Sequence, residues 1–151
     1  MKFNLTKTLI GGFTGTLMMT LMMQFAAPMM IGQPMDIAAM LGNMMGGVYA
    51  LGMTVHILLG VVVFPLLYAV LLFRFLPGAP VVKGLLFGTG LWLLAATMVM
   101  PMAGAGFFMS EIGGIKAAMA ALMGHWVYGV LLGAIAGRDA CRHCSAQPHF
   151  H

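Results

Sequence analysis

Val48-Tyr-Ala-Leu-Gly52-Met-Thr-Val-His56-Ile-Leu-Leu-Gly60-Val-Val-Val-Phe-Pro65-Leu-Leu-Tyr68-Ala-Val-Leu-Leu-Phe73 contains no Asp, Glu, Lys or Arg, and His56 is its only side chain that titrates near neutral pH. The run exceeds the roughly 20 apolar residues that an α-helix needs to cross a bilayer core. Three further stretches have the same character: Thr8 to Ile31, Gly84 to Met102 and Ala117 to Ala136. Of the 151 residues 62% are hydrophobic and 7% charged, against about 25% charged in a soluble domain. The expected fold is therefore an all-α bundle of four transmembrane helices over residues 1–137, followed by a short tail over 138–151. The first stretch follows Lys2 and Lys7 as a signal peptide would, but it is too long for the apolar region of one and is expected to stay as a helix.

Charge sets the expected orientation. Lys2 and Lys7 precede the first stretch, Arg74 and Lys83 bracket the second connection, and Arg138 and Arg142 follow the last stretch. Of the seven cationic residues only Lys116 falls on the other side. The excess of Lys and Arg on the cytoplasmic side of membrane proteins then predicts cytoplasmic N and C termini in a prokaryotic plasma membrane. The net charge of +4 follows from this topology and gives no reason to expect nucleic acid.

Internal similarity points to two tandem helical hairpins. Lys7-Thr-Leu-Ile-Gly-Gly-Phe-Thr-Gly15 opens one half and Lys83-Gly-Leu-Leu-Phe-Gly-Thr-Gly90 the other, and each half ends in a stretch with a central histidine. Small residues recur every fourth position at Gly11/Gly15, Gly84/Gly88 and Gly129/Gly133/Gly137, the spacing that lets helix backbones approach closely in lipid. Pro65 and Pro101 are expected to kink or end their helices. Asp36 is placed to cap a short interfacial helix ending near Met45, Phe107 to Glu111 is expected to lie similarly on the surface, and Leu76-Pro-Gly-Ala-Pro80 is a turn.

His56 and His125 are the leading site candidates. The first stands in Gly52-x3-His56-x3-Gly60 and the second in Ala121-x3-His125-x3-Gly129. An imidazole inside a membrane helix is costly and usually has a partner. The two lie at similar expected depths, as the axial ligands of one haem b or the ligands of one metal ion would, with Gly52, Gly60, Ala121 and Gly129 leaving space alongside. Proton handling and plain hydrogen bonding between helices remain alternatives. Cationic partners for haem propionates are scarce on that side, where Lys116 is the one available. Eighteen methionines serve chiefly as adaptable packing, yet thioethers also select Cu(I). Met22, Met23 and Met98 lie near the expected depth of the histidines and make a copper site conceivable. In the tail, Cys141, Cys144 and His149 form a weaker metal-binding pattern. The acids Asp36, Glu111 and Asp139 sit at helix ends, and no nucleophile–base arrangement is visible, so no catalytic activity of the chain's own is expected.

Val81-Val-Lys-Gly-Leu-Leu-Phe-Gly-Thr-Gly-Leu-Trp-Leu93, Met100-Pro-Met-Ala-Gly-Ala-Gly106, His125-x2-Tyr128-Gly129-x2-Leu132-Gly133 and Asp36-Ile-Ala-Ala-Met-Leu-Gly42 followed by His56-x3-Gly60 resemble an uncharacterised family of small four-helix prokaryotic membrane proteins. The resemblance spans about residues 7–137 and leaves the Cys/His tail outside it. It implies the four-helix fold and equates His56 and His125 with histidines of the family's motifs, but it implies no activity. The expected role is an accessory subunit of a respiratory or other membrane electron-transfer complex, working in the lipid bilayer with a larger membrane protein or further copies of itself. A purely structural subunit and a carrier of copper or a small solute are the alternatives.

Overall fold

The computed structural model describes residues 4–72 and 75–137. The chain forms α1 (Leu5–Ile31), a short α2 (Ile37–Met44), α3 (Tyr49–Val70), α4 (Pro80–Met102) and α5 (Gly114–Ala136). No strand occurs among the described residues. The shortest of the four long helices has 22 residues and is about 33 Å long at about 1.5 Å per residue, enough for a hydrocarbon core of about 30 Å. Their outward faces carry large apolar side chains such as Phe13, Leu17, Val70, Leu86, Leu93 and Ile115, a surface suited to lipid. The fold is thus all-α with four helices long and apolar enough to span a membrane.

Local chemistry sets the helix ends. The Asn4 side chain accepts a hydrogen bond from Lys7 N at 3.1 Å and opens α1. Gly32 closes it in the left-handed conformation at φ 78°, which suits a residue without a Cβ. Asp36 opens α2 as the sequence predicts, its carboxylate accepting from Ala39 N at 2.9 Å. Pro80 stands in the first turn of α4, where its missing N–H would have no partner anyway.

Pro28 and Pro65 do not break their helices; wider turns absorb them. π-helical segments at Met22–Ala26, Leu59–Val63 and Ala95–Val99 run just ahead of Pro28, Pro65 and Pro101. A π-turn bonds each carbonyl to the N–H five residues on, so a carbonyl five residues before a proline loses its donor. Two such carbonyls are those of Met23 and Gly60, and both receive another donor: Met35 N–H at 3.1 Å and the Tyr128 hydroxyl at 2.8 Å. Of the expected outcomes, Pro65 does not end its helix, since α3 runs on to Val70, whereas α4 ends at Met102, directly after Pro101. Proline-free α5 is continuous α-helix.

Glycine contacts fix the packing. A Cβ on Gly84 would strike the Gly129 carbonyl and one on Gly129 the Gly84 carbonyl, while Gly88 meets the His125 carbonyl. Gly11 and Gly15 lie against Leu132 and Tyr128. Helix α5 therefore packs on both α1 and α4, and the small-residue faces are occupied within the chain. On its other side α1 meets α3, with Gly12 against the Pro65 ring and the carbonyls of Gly60 and Val61. Helix α2 folds back on the first turns of α3, where Gly52 faces the Ala38 carbonyl and Gly42. Near the turn between α3 and α4, Tyr68 packs on Phe87 with ring centroids 5.3 Å apart and donates to the Pro80 carbonyl at 3.2 Å. Toward the opposite end of the bundle a cavity is lined from both of these helices.

Candidate functional site

The cavity has a volume of about 120 Å³ and is lined by side chains from α1 to α5 and from the connection after α4. Its walls are almost wholly apolar; the polar groups on it are His56, His125, Thr16 and Tyr128. The sequence singled out the two histidines, and the fold brings them to one space. They are also level against α1: Thr20 bonds His56, while Met19 and Met23 lie against Gly124, next to His125.

Hydrogen bonding fixes how each ring is protonated. The Thr20 hydroxyl donates its one proton to the Thr16 carbonyl at 2.8 Å. Its 3.0 Å contact with His56 Nε2 therefore has the imidazole N–H as donor, and the neutral ring keeps its lone pair on Nδ1. In His125 the contact is between Nδ1 and the carbonyl of Ala121 at 2.8 Å. A carbonyl only accepts, so Nδ1 carries the proton and the lone pair is on Nε2. Neither lone pair has a hydrogen-bond partner among the described residues. The two bonds differ in what they join. His56 ties α3 to α1, whereas His125 bonds to the preceding turn of its own helix and ties nothing together.

Of the residues expected to leave space beside the histidines, Gly60 and Ala121 line the cavity. Gly52 and Gly129 are instead filled by the backbones of α2 and α4. Met22 and Met98 do not line it, and Met98 is 56% exposed on the outer face of α4. The methionines that do are Met19, Met23, Met100 and Met109. Among the described residues, no group of three or more His, Cys, Asp or Glu is gathered as for a metal ion. Cys141, Cys144 and His149 lie outside the described residues.

His56 also borders a second, smaller pocket of about 40 Å³. Asp36, Gln24, Thr20 and Tyr49 share that pocket, so the ring stands between a polar recess beside α2 and the apolar cavity. The sequence marked Asp36 only as a helix cap, and nothing in the spacing of Asp36 and Tyr49 joined them to His56. Their meeting depends on α2 folding back onto α3.

No curated protein and no solved structure matches the chain. A family profile does, over residues 4–146. Cys141 and Cys144 therefore fall within the matched span, which corrects the expectation that the Cys/His tail lies wholly outside the family; His149 is beyond it. Covering nearly the whole of the sequence and agreeing with four apolar helices, the match shows that the chain belongs to a family of unknown function, DUF6789.

Proposed function

We propose that this multi-pass membrane protein holds a metal ion between His56 and His125 and serves as an accessory subunit of a membrane electron-transfer complex. The observation that carries the metal site is the bonding of His125. Its one hydrogen bond goes to its own helix, so the ring contributes no link between helices, yet it is held beside a cavity that also takes His56. A hydrogen bond at one imidazole nitrogen is the usual device that fixes the tautomer and aims the other nitrogen at a metal. Both rings carry that device.

The lining favours an ion over haem b, because no cationic side chain among the described residues lines the cavity to pair with haem propionates. The two tandem hairpins, with both termini cytoplasmic, put the site in the outer half of the bilayer; the placement of six of the seven cationic residues supports that orientation. The accessory role is supported by size: nearly all of the described chain lies in the four helices and their short connections, leaving little outside the bilayer to act on soluble substrates.

Metal analysis of detergent-purified protein tests the site. Bound metal in the wild type, lost in the His56→Gln, His125→Gln double variant, is the expected result; a metal-free wild type after loading, or unchanged binding in the variant, refutes it. Purification in mild detergent tests the role. Association with subunits that give a redox optical signal is expected, and isolation as a lone chain or homo-oligomer overturns it.

A further inference from the structure

The connection between α4 and α5 adopts backbone angles that its residues disfavour. Phe108 has φ 49° and Met109 φ 62°, both in the left-handed region that a Cβ opposes. Glycine is not lacking nearby, for Gly104, Gly106, Gly113 and Gly114 all have positive φ. Two large side chains are nonetheless kept at the strained positions, and the surrounding structure holds them there. Ala105 N bonds to Met100 O at 2.9 Å and Glu111 N to Ala105 O at 3.0 Å, closing the loop on the end of α4. The Phe108 ring stands edge-on to Trp92 at 5.7 Å, and Trp92 is itself anchored by a 2.9 Å bond to the Ala118 carbonyl.

The outcome of this strain is the position of one thioether. Met109 is driven into the bundle to 1% exposure and forms part of the cavity wall that also takes His56 and His125. Strained backbone gathers where a side chain must be held for function. Met19, Met23 and Met100 share the same wall. Among the described residues no carboxylate lines the cavity, since Asp36 belongs to the smaller pocket.

We infer that the site is selective for a soft monovalent ion, Cu(I), with Met109 as a thioether ligand beside the two imidazoles. The inference rests on the paired-histidine site proposed above. Neutral nitrogen and sulfur donors supply no charge to offset that of the ion, and the cost of burying charge rises with its square. A dication is therefore penalised more heavily here than a monocation. Thioethers add a chemical preference in the same direction.

The test uses full-length protein in detergent, loaded separately with Cu(I), Ag(I), Zn(II) and Co(II). Wild type is expected to bind Cu(I) and Ag(I) in preference to the divalent ions. Met109→Leu should weaken Cu(I) binding by more than about tenfold, while Met98→Leu, on the outer face, leaves it unchanged. Selenomethionine-labelled protein provides a readout that needs no substitution: copper-edge absorption should show selenium beside copper, reduced in Met109→Leu. Cu(I) bound as tightly by Met109→Leu as by wild type, or no selenium beside copper, overturns Met109 as a ligand. Preference for Zn(II) or Co(II) overturns the soft-ion assignment and leaves the paired histidines standing. Failure to bind any of the four ions, or binding indifferent to His56→Gln, His125→Gln, overturns both.

Discussion

Two histidines in one cavity wall carry their protons on opposite nitrogens. His56 is held as the Nε2–H tautomer because Thr20 has no proton left to give; His125 is held as the Nδ1–H tautomer because its partner is a carbonyl. In ¹⁵N-labelled protein at a pH where both rings are neutral, the expected spectrum shows a protonated Nε2 for His56 and a protonated Nδ1 for His125. The same tautomer in both rings would contradict the bonding described. Thr20→Val keeps the shape and removes the acceptor, so it should release His56 to a mixture of tautomers and leave His125 as it was. Tyr128 poses a separate question at this scale. Its hydroxyl donates to the Gly60 carbonyl at 2.8 Å, which the π-turn ahead of Pro65 leaves without a helical donor. Tyr128→Phe should then destabilise the protein by about 1–3 kcal/mol, the cost of an unsatisfied buried acceptor. Equilibrium unfolding in mixed detergent micelles measures it, and an unchanged midpoint would mean that another donor takes over.

Between helices, the closest approach tests the role of glycine most directly. Gly84 and Gly129 exclude each other's Cβ, whereas Gly90 has no atom within 4 Å of where its Cβ would be. Gly84→Val should cost at least about 1–3 kcal/mol through overpacking. Gly90→Ala should stabilise by about 0.5–1 kcal/mol, because it removes chain freedom without a clash. Thermal unfolding of the two variants decides the matter, and similar midpoints would mean that the α4–α5 contact yields easily. This contact was legible in the sequence, since small residues at every fourth position identify a face whatever its partner. So were the four helices and the pair His56 and His125, each an isolated polar side chain in an apolar run. The methionines were legible only in part. Met23 lines the cavity as its expected depth suggests, whereas Met22 and Met98, at a similar expected depth, do not. Depth does not fix which way a side chain faces, and among these residues Met23 and Met100 are the ones turned inward. Met109 left no periodic trace at all, because a left-handed pair in a loop places it.

Taken as a whole, the molecule has two unlike ends. One carries the start of α1 and the turn before Pro80, with Lys7 and Lys83 close by. The other carries α2, the polar recess with Asp36 and the strained loop that supplies Met109. His56, His125 and their cavity lie toward this second end, so the orientation of the chain would decide which compartment supplies the proposed ion. The distribution of Lys and Arg argues that the second end faces outward. A phosphatase reporter that works only after export, fused after Gly104 in one strain and after Gly78 in another, reads this directly. Activity is expected at Gly104 and silence at Gly78. The reverse pattern would turn the bundle over and bring the recess of Asp36 and Gln24 to the cytoplasm. With the recess outward, the proposed ion would arrive from outside, and Asp36 borders the pocket that also takes His56. Under that orientation Asp36→Asn should slow the loading of Cu(I) added outside sealed vesicles of matching orientation, with the final occupancy unchanged. Equal loading rates in the variant and the wild type would remove the recess from the route.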